Sequence, residues 1–380
     1  MRDAVIVEAV RTPVGRRNGA YKDVHPVDLS AHVLSALVER TGIDPALVDD
    51  VIWGCVGQVG EQTFNVARNA VLAAGWPESI PGTTVDRQCG SSQQAVHFAA
   101  AGVLSGQYDV AVAGGVESMT RVPMGSSIGS DVGFPFGPKM LARYAGEQIN
   151  QGLGAETIAK RWGLSRQQVD EFSLSSHQKA AAAIDSGAFA KQYAAVPGTG
   201  LEVDEGVRRD TSLDKLGGLK PAFAEDGVIT AGNSSQISDG SGALLITTSE
   251  KAAALGLKPL ARLHSFSVVG DDPIVMLTGP IPATAKVLDR AGLSIGDVGA
   301  FEINEAFAPV PLAWLAETGA DPKALNPLGG AIAIGHPLGG SGAILMTRLV
   351  HHMLDNGIRY GLQSMCEGGG MANATVLELV

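Results

Sequence analysis

The stretch Val38–Gly54, VERTGIDPALVDDVIWG, reads in register against Leu288–Asn304, LDRAGLSIGDVGAFEIN, about 250 residues further along the chain. Each copy has the tail of an amphipathic helix, a glycine (Gly42 or Gly292) that ends it, a short linker and an apolar strand. Glycine takes the left-handed conformation that closes a helix at no steric cost, so a glycine after the last apolar position marks the C-terminus. The register continues, because Gly90–Gly115, GSSQQAVHFAAAGVLSGQYDVAVAGG, lies against Ser341–Cys366, SGAILMTRLVHHMLDNGIRYGLQSMC, at nearly the same offset. Each of these is again a helix, a glycine turn and a strand. Strands as uniformly apolar as VAVAGG are buried on both faces. The pattern therefore predicts an α/β fold of two similar halves, with helices covering both faces of the sheets. Cys89 falls opposite Gly340 in this register, which points to a site where the two equivalent turns meet.

Between the copies the texture changes. Residues 119–232 carry glycine- and proline-rich turns (GSSIGSDVGFPFGPK), helical segments around Ala155–Ser186 and the charged VDEGVRRDTSLDKL. We expect an N-terminal half over residues 1–118 plus about 233–255, an inserted domain over 119–232, and a C-terminal half over 256–380.

Composition narrows the function classes. The 380 residues, 45% of them apolar, suffice for a large core. A net charge of −11 argues against nucleic acid as a partner. The three cysteines (Cys55, Cys89, Cys366) stand far apart, without the paired spacing of a structural zinc site or a disulfide framework. The N-terminal MRDAVIVEAVRTP leads into a strand rather than a signal peptide, and no apolar run reaches membrane-spanning length, so we expect a cytoplasmic protein with no membrane partner. The 49 glycines exceed the average share and indicate many tight turns and close backbone approaches.

Four local patterns carry chemistry. Cys89, in DRQCGSSQQA, stands at the mouth of a helix, where backbone N–H groups and the helix dipole favour a thiolate. His336, in GAIAIGHPLGGSGA, sits in a glycine-dense loop before the Gly340 turn, at the same end of the sheets as Cys89. Cys366 heads CEGGG at a strand end, where the sites of open α/β sheets collect. Asn304 and Glu305 follow the strand AFEI, where they are equally suited to capping a helix. Cys55, inside the strand-like VIWGCVGQ, reads as core. IAKRWGLSRQQVDEF has helix-turn-helix spacing with Lys160, Arg161 and Arg166, a weak DNA-binding signal opposed by Asp170 and Glu171. No Walker lysine follows Gly340 and no GxGxxG opens a helix after the first strand.

Taken together VDRQCGSS, GGVESMTRVPMG, NEAFA, GGAIAIGHPLGGSGA and CEGGGMANA resemble, in order and across essentially the whole chain, the signatures of the thiolases. The resemblance implies a five-layered αβαβα fold of two similar halves with an inserted loop domain, assembled as a homodimer or homotetramer. It implies that Cys89 is the acyl-accepting nucleophile, His336 its base and Cys366 the acid/base at the acetyl-CoA carbon. It further implies a water on Asn304 that forms one oxyanion hole with His336, and backbone N–H groups of Cys89 and Gly368 that form the other. Coenzyme A, a co-substrate rather than a bound cofactor, would meet Arg208, Leu219, Phe223, Ser235, Ala306 and Phe307, and no metal is required. The chemistry implied is ping-pong acyl transfer that cleaves 3-oxoacyl-CoA in fatty-acid β-oxidation, a reversible Claisen condensation. The alternatives are a biosynthetic acetyl-CoA C-acetyltransferase, an inactive thiolase-like scaffold and a DNA-binding protein. Where many acetoacetyl-specific relatives carry His-Met, this chain has Asn150-Gln151, which weighs against a strict short-chain preference.

Overall fold

A computed structural model describes residues 2–380. The N-terminal half begins with β1 (Val5–Arg11), the short β2 (Gly15–Arg16) and α1 (Pro26–Thr41), which Gly42 closes in the left-handed conformation. Next come β3 (Asp50–Gly54), α2 (Val66–Ala73), β4 (Gly82–Val85), α3 (Ser91–Ser105) and β5 (Val110–Ser118). The chain then leaves the sheet for α4 (Pro138–Arg143), α5 (Gln151–Arg161), α6 (Arg166–Asp185) and α7 (Leu213–Gly217). It returns as β6 (Ser238–Thr247) and α8 (Ser249–Ala254). The C-terminal half comprises β7 (Ala261–Gly270), α9 (Pro280–Ala291), β8 (Ala300–Ile303), α10 (Pro309–Thr318), α11 (Ala331–Ile334), α12 (Ser341–Asn356), β9 (Tyr360–Glu367) and β10 (Met371–Leu379).

The repeat read in the sequence is the fold's organising symmetry. Strands run in the order β4-β3-β5-β6-β1-β7-β10-β9-β8, so β3, β5, β6 and β1 of one half are mirrored by β8, β9, β10 and β7 of the other. Within each half the first pair is parallel and the next antiparallel. Two residue pairs, Val5–Arg262 and Ile6–Ala261, join the halves at β1 and β7. Gly42, Gly106, Gly292 and Gly357 all end their helices with positive φ.

Three apolar clusters divide the layers. One packs α1 and α2 on the outer face of the N-terminal sheet through Leu34, Val51, Trp53 and Val71. The second interleaves Ala95, Ala99 and Val103 of α3 with Ala343, Met346 and Val350 of α12, between strands of both halves. The third packs α9 and α10 against the C-terminal sheet through Val287, Phe301 and Trp314. The order is helix, sheet, helix, sheet, helix, as the five-layered expectation requires. The two central helices meet at their N-termini, where a Cβ on Gly342 would lie 2.4 Å from the Gln93 nitrogen. Ser92 Oγ there accepts the Ala343 N–H at 2.9 Å.

In the segment with helix-turn-helix spacing, Lys160 and Arg161 are exposed and Arg166 is held by contacts within the chain. Arg166 pairs with Asp170 at 2.8 Å and donates to the Leu216 and Leu219 carbonyls, while Val169, Asp170 and Ser173 of α6 are buried. Among the described residues no helix is long and apolar enough to cross a membrane.

Candidate active site

Cys89 ends a tight turn whose geometry is fixed locally. Gln88 adopts φ +47°, a conformation strained for a residue with a side chain. Asp86 Oδ1 accepts the Gln88 N–H at 2.7 Å, and Ser91 Oγ both donates to the Gln88 carbonyl and accepts from Arg87 N–H. Asn373 on β10 donates to the Gly90 carbonyl at 3.0 Å, tying the turn to the other half. Gly90 is the N-cap of α3, so Cys89 stands at a helix start, as its sequence context predicts.

Burial pushes the Cys89 thiol upward, and the neighbouring Cys366 and Glu367 add to the rise, while a hydrogen bond from the Gln151 side chain and the backbone opposes it. Desolvation thus opposes the thiolate that the helix start favours. Burial likewise pushes Cys366 up to about 12, with Asn304 pulling the other way through a 4.0 Å contact from Nδ2 to Sγ.

His336 supplies a matching base. Its backbone N–H donates to Ser238 Oγ at 2.7 Å, and Gly335, at φ +104°, delivers it into the site. Nδ1 lies 2.6 Å from Ser341 Oγ, and that hydroxyl gives its one hydrogen to the Pro337 carbonyl at 2.9 Å. With the hydroxyl donating to Pro337, Ser341 accepts from Nδ1–H, the tautomer in which Nε2 is unprotonated and can accept from Asn304. Nε2 in turn lies 3.4 Å from Asn304 Nδ2. Burial lowers the imidazole to about 4, so it is neutral and able to accept a proton at ordinary pH. Asn304 Nδ2 thus bridges the His336 ring and the Cys366 sulfur, bringing a base and a thiol to one amide.

Asn304 and Glu305 do not cap α10, which starts at Pro309 with no side-chain cap. Asn304 N–H continues the sheet by donating to the Ser364 carbonyl, and Glu305 accepts from Ser176 Oγ (2.6 Å), Asn326 Nδ2 (2.9 Å) and Ile332 N–H (3.2 Å). Glu305 thereby fixes Asn304 against the inserted domain. The Asn304 Oδ1 atom is buried without a hydrogen-bond partner. Glu117 performs a similar task for the His336 loop, accepting from the N–H groups of Gly339, Val56 and Gly57. Gly368 follows Cys366 by two residues, and a Cβ there would stand 3.4 Å from Gln151 Nε2 and 3.0 Å from Gln88 Oε1. Cys55 is fully buried in the core cluster of the N-terminal half, as expected.

Among the six residues expected at coenzyme A, contacts join Phe223 to Phe307 and Ser235 to Ala306, while Arg208 and Leu219 lie at a concavity. Phe223 and Phe307 pack edge to face with ring centres 5.8 Å apart. Ser235 N–H donates to the Ala306 carbonyl at 2.9 Å. Arg208, whose N–H donates to His177 Nδ1, lines a concavity with Thr211, Leu216, Gly232 and Gln236, and Leu219 packs at Gly232. Phe223 and Leu219 are partly exposed, whereas Ala306 and Phe307 are buried.

Sequence reasoning did not find Ser341, Glu305's true partners, Glu117 or the contact of Gln151 with Cys89. Ser341 had a local signal, five residues after His336 at the first turn of a helix; the other contacts span too much chain to be read from spacing.

A duplicated fold with two buried thiols, a neutral imidazole and an amide at the junction of its halves defines a cysteine-dependent acyltransferase. The thiolase N-terminal domain family matches residues 4–250 and the thiolase C-terminal domain family residues 257–379. The chain belongs to the thiolase family. It is 50% identical, over its whole length and 94% of the relative's, to a steroid 3-ketoacyl-CoA thiolase of Mycobacterium tuberculosis. It is 46% identical to a 3-ketoacyl-CoA thiolase of Yersinia pestis, with both chains fully covered. The crystal structure of the Bacillus anthracis acetyl-CoA acetyltransferase is similar to it with a TM-score of 0.92 at 38% identity, covering 100% of this chain and 99% of that one.

Proposed function

We propose that this thiolase cleaves 3-oxoacyl-CoA with coenzyme A, using Cys89 as nucleophile. The observation that carries the reading is the neutral imidazole with a free Nε2 beside Asn304 and the paired thiols. His336 takes the Cys89 proton as the sulfur attacks the C3 carbonyl, and the C2–C3 bond breaks to leave an acyl-cysteine and an acetyl-CoA enolate. Cys366, neutral until then, protonates that enolate. Coenzyme A, deprotonated by Cys366 or His336, then attacks the acyl-cysteine and releases a shortened acyl-CoA. Asn304, through a bound water, and His336 would stabilise one oxyanion, and the N–H groups of Cys89 and Gly368 the other.

Coenzyme A would lie along Arg208, Leu219, Phe223, Ser235, Ala306 and Phe307. The names of the curated relatives favour degradation of longer or bulkier 3-oxoacyl chains, and Gln151 at the nucleophile agrees with a pocket unlike the methionine-lined one. The likeness to an acetyl-CoA acetyltransferase supports acetoacetyl-CoA synthesis as the second reading. Acetyl-CoA release from 3-oxoacyl-CoAs of increasing chain length separates the two: rising activity with length supports degradation, activity confined to acetoacetyl-CoA supports the second reading, and release that survives Cys89→Ala refutes the mechanism.

Self-association is part of the proposal. β4 lies at one end of the strand order, so its outer edge is open, and next to it Ile52, Thr83, Ala101 and Tyr108 form a groove beside the half-exposed Phe98. Open strand edges beside apolar surface favour pairing with a second chain. Sedimentation should show a dimer or tetramer that Phe98→Asp reduces in mass; an unchanged mass would remove this face from the assembly.

A further inference from the structure

Directly behind the two thiols lies a carboxyl that the acyl-transfer steps above do not use. Glu367, the last residue of β9, follows Cys366 and is buried, with neither carboxyl oxygen hydrogen-bonded. Its Oε1 occupies the space where a Gly90 Cβ would stand, and Asn373 Nδ2 lies 2.8 Å from that same Cβ position. The carboxyl is therefore wedged into the turn that carries Cys89, and Gly90 is the residue that admits it. Asn373 Oδ1 and Arg87 Nε are also buried without partners. Two unpartnered carboxyl oxygens in such a place make ionisation costly.

We propose that Glu367 is a positioning residue that works in its neutral acid form, and that its ionisation suppresses the thiolates of Cys89 and Cys366 and so closes the alkaline side of the enzyme's pH range.

The charged surroundings agree. Burial pushes Glu367 up to about 8, Arg87 draws it down and Asp86 pushes it further up. Both thiols in turn are raised by the charge on Glu367. His97 on α3, the remaining titratable group coupled to Arg87, is lowered by burial to about 3 and stays neutral throughout this range. The sign follows directly. Below about pH 8 the carboxyl is protonated and the thiols are free of its field; above it a negative charge faces two sulfurs that must themselves become negative.

The inference rests on Cys89 and Cys366 being the working thiols, so the test reads both turnover and thiol chemistry. In the full-length protein, Glu367→Gln keeps the shape of the wedge and removes its proton. The native enzyme's kcat/KM should fall above about pH 8 and that of Glu367→Gln should not. Iodoacetamide should alkylate Cys89 about threefold faster in the variant than in the native protein at pH 9. Alkylation profiles that superimpose would overturn the proposal, whether or not acyl transfer is observed. Should Glu367→Gln fail to fold, Arg87→Gln provides the second reading. Loss of the cation should move the alkaline fall to higher pH, and an unmoved fall would overturn the proposal.

Discussion

Ser341 holds its hydroxyl between the His336 ring and the Pro337 carbonyl, and a single hydroxyl hydrogen cannot serve both. When that hydrogen goes to Pro337, the tautomer favoured is the one with Nε2 unprotonated, the form in which His336 acts as a base. Replacing Ser341 with alanine frees Nδ1 and allows the other tautomer. The expected result is a fall in kcat/KM of about tenfold to a hundredfold with little change in melting temperature, measured by steady-state thiolysis and calorimetry. The dependence on a neutral ring also predicts an acid limb near pH 4, where His336 gains a proton. At this scale Cys89, His336 and Cys366 stood out because each lies in a distinctive glycine-rich or strand-end context, whereas Asn304 read equally well as a helix cap. Glu367 did not stand out, because what gives it a role is contact across hundreds of residues with the turn at Cys89.

Among the elements, the duplicated helices and strands were the clearest feature of the chain. Each of these helices announces its end with a glycine in the left-handed region, and the equivalent strands are buried along almost their whole length. The segment between β5 and β6 was readable only as a change in texture, since its order comes from long-range polar anchors rather than periodicity. Asp204 is the strongest of these. It accepts from Arg11 Nη1 and Nη2 on β1, from Val14 N–H and from Tyr193 OH, at 2.7, 3.0, 2.8 and 2.9 Å. Phe189, from the same segment, meets the guanidinium carbons of Arg11 at 5.1 Å and Arg348 at 5.3 Å, one from each half. Burial alone would raise Asp204, yet the charge and hydrogen bonds of Arg11 hold it below its ordinary value. The stabilisation is thus present above the unfolded carboxyl's value and lost as pH falls through the lower folded one. Asp204→Asn leaves a buried guanidinium unpaired and should cost about 3–5 kcal/mol in denaturant unfolding at pH 7. A loss under about 1 kcal/mol would show that this pair does not anchor the segment.

For the molecule as a whole, duplication explains why the site lies where it does. Two equivalent helices, α3 and α12, meet at their N-termini between the sheets; one is preceded by the turn of Cys89, the other by the loop of His336. β9 of the second half brings Cys366, and the segment between β5 and β6 closes the site with Gln151. The fold class and the meeting of the two turns followed from the repeat, because equivalent elements in a duplicated fold occupy equivalent places. The resting charge state did not, because burial is a property of the assembled layers. The central claim is that one of two neighbouring buried thiols takes the acyl group. Its most direct measurement is mass spectrometry of peptides from enzyme quenched after brief exposure to acetyl-CoA. The account predicts one acetyl group on the peptide carrying Cys89, lost in Cys89→Ala and retained in Cys366→Ala; acetylation of Cys366 instead, or of neither cysteine, would contradict it.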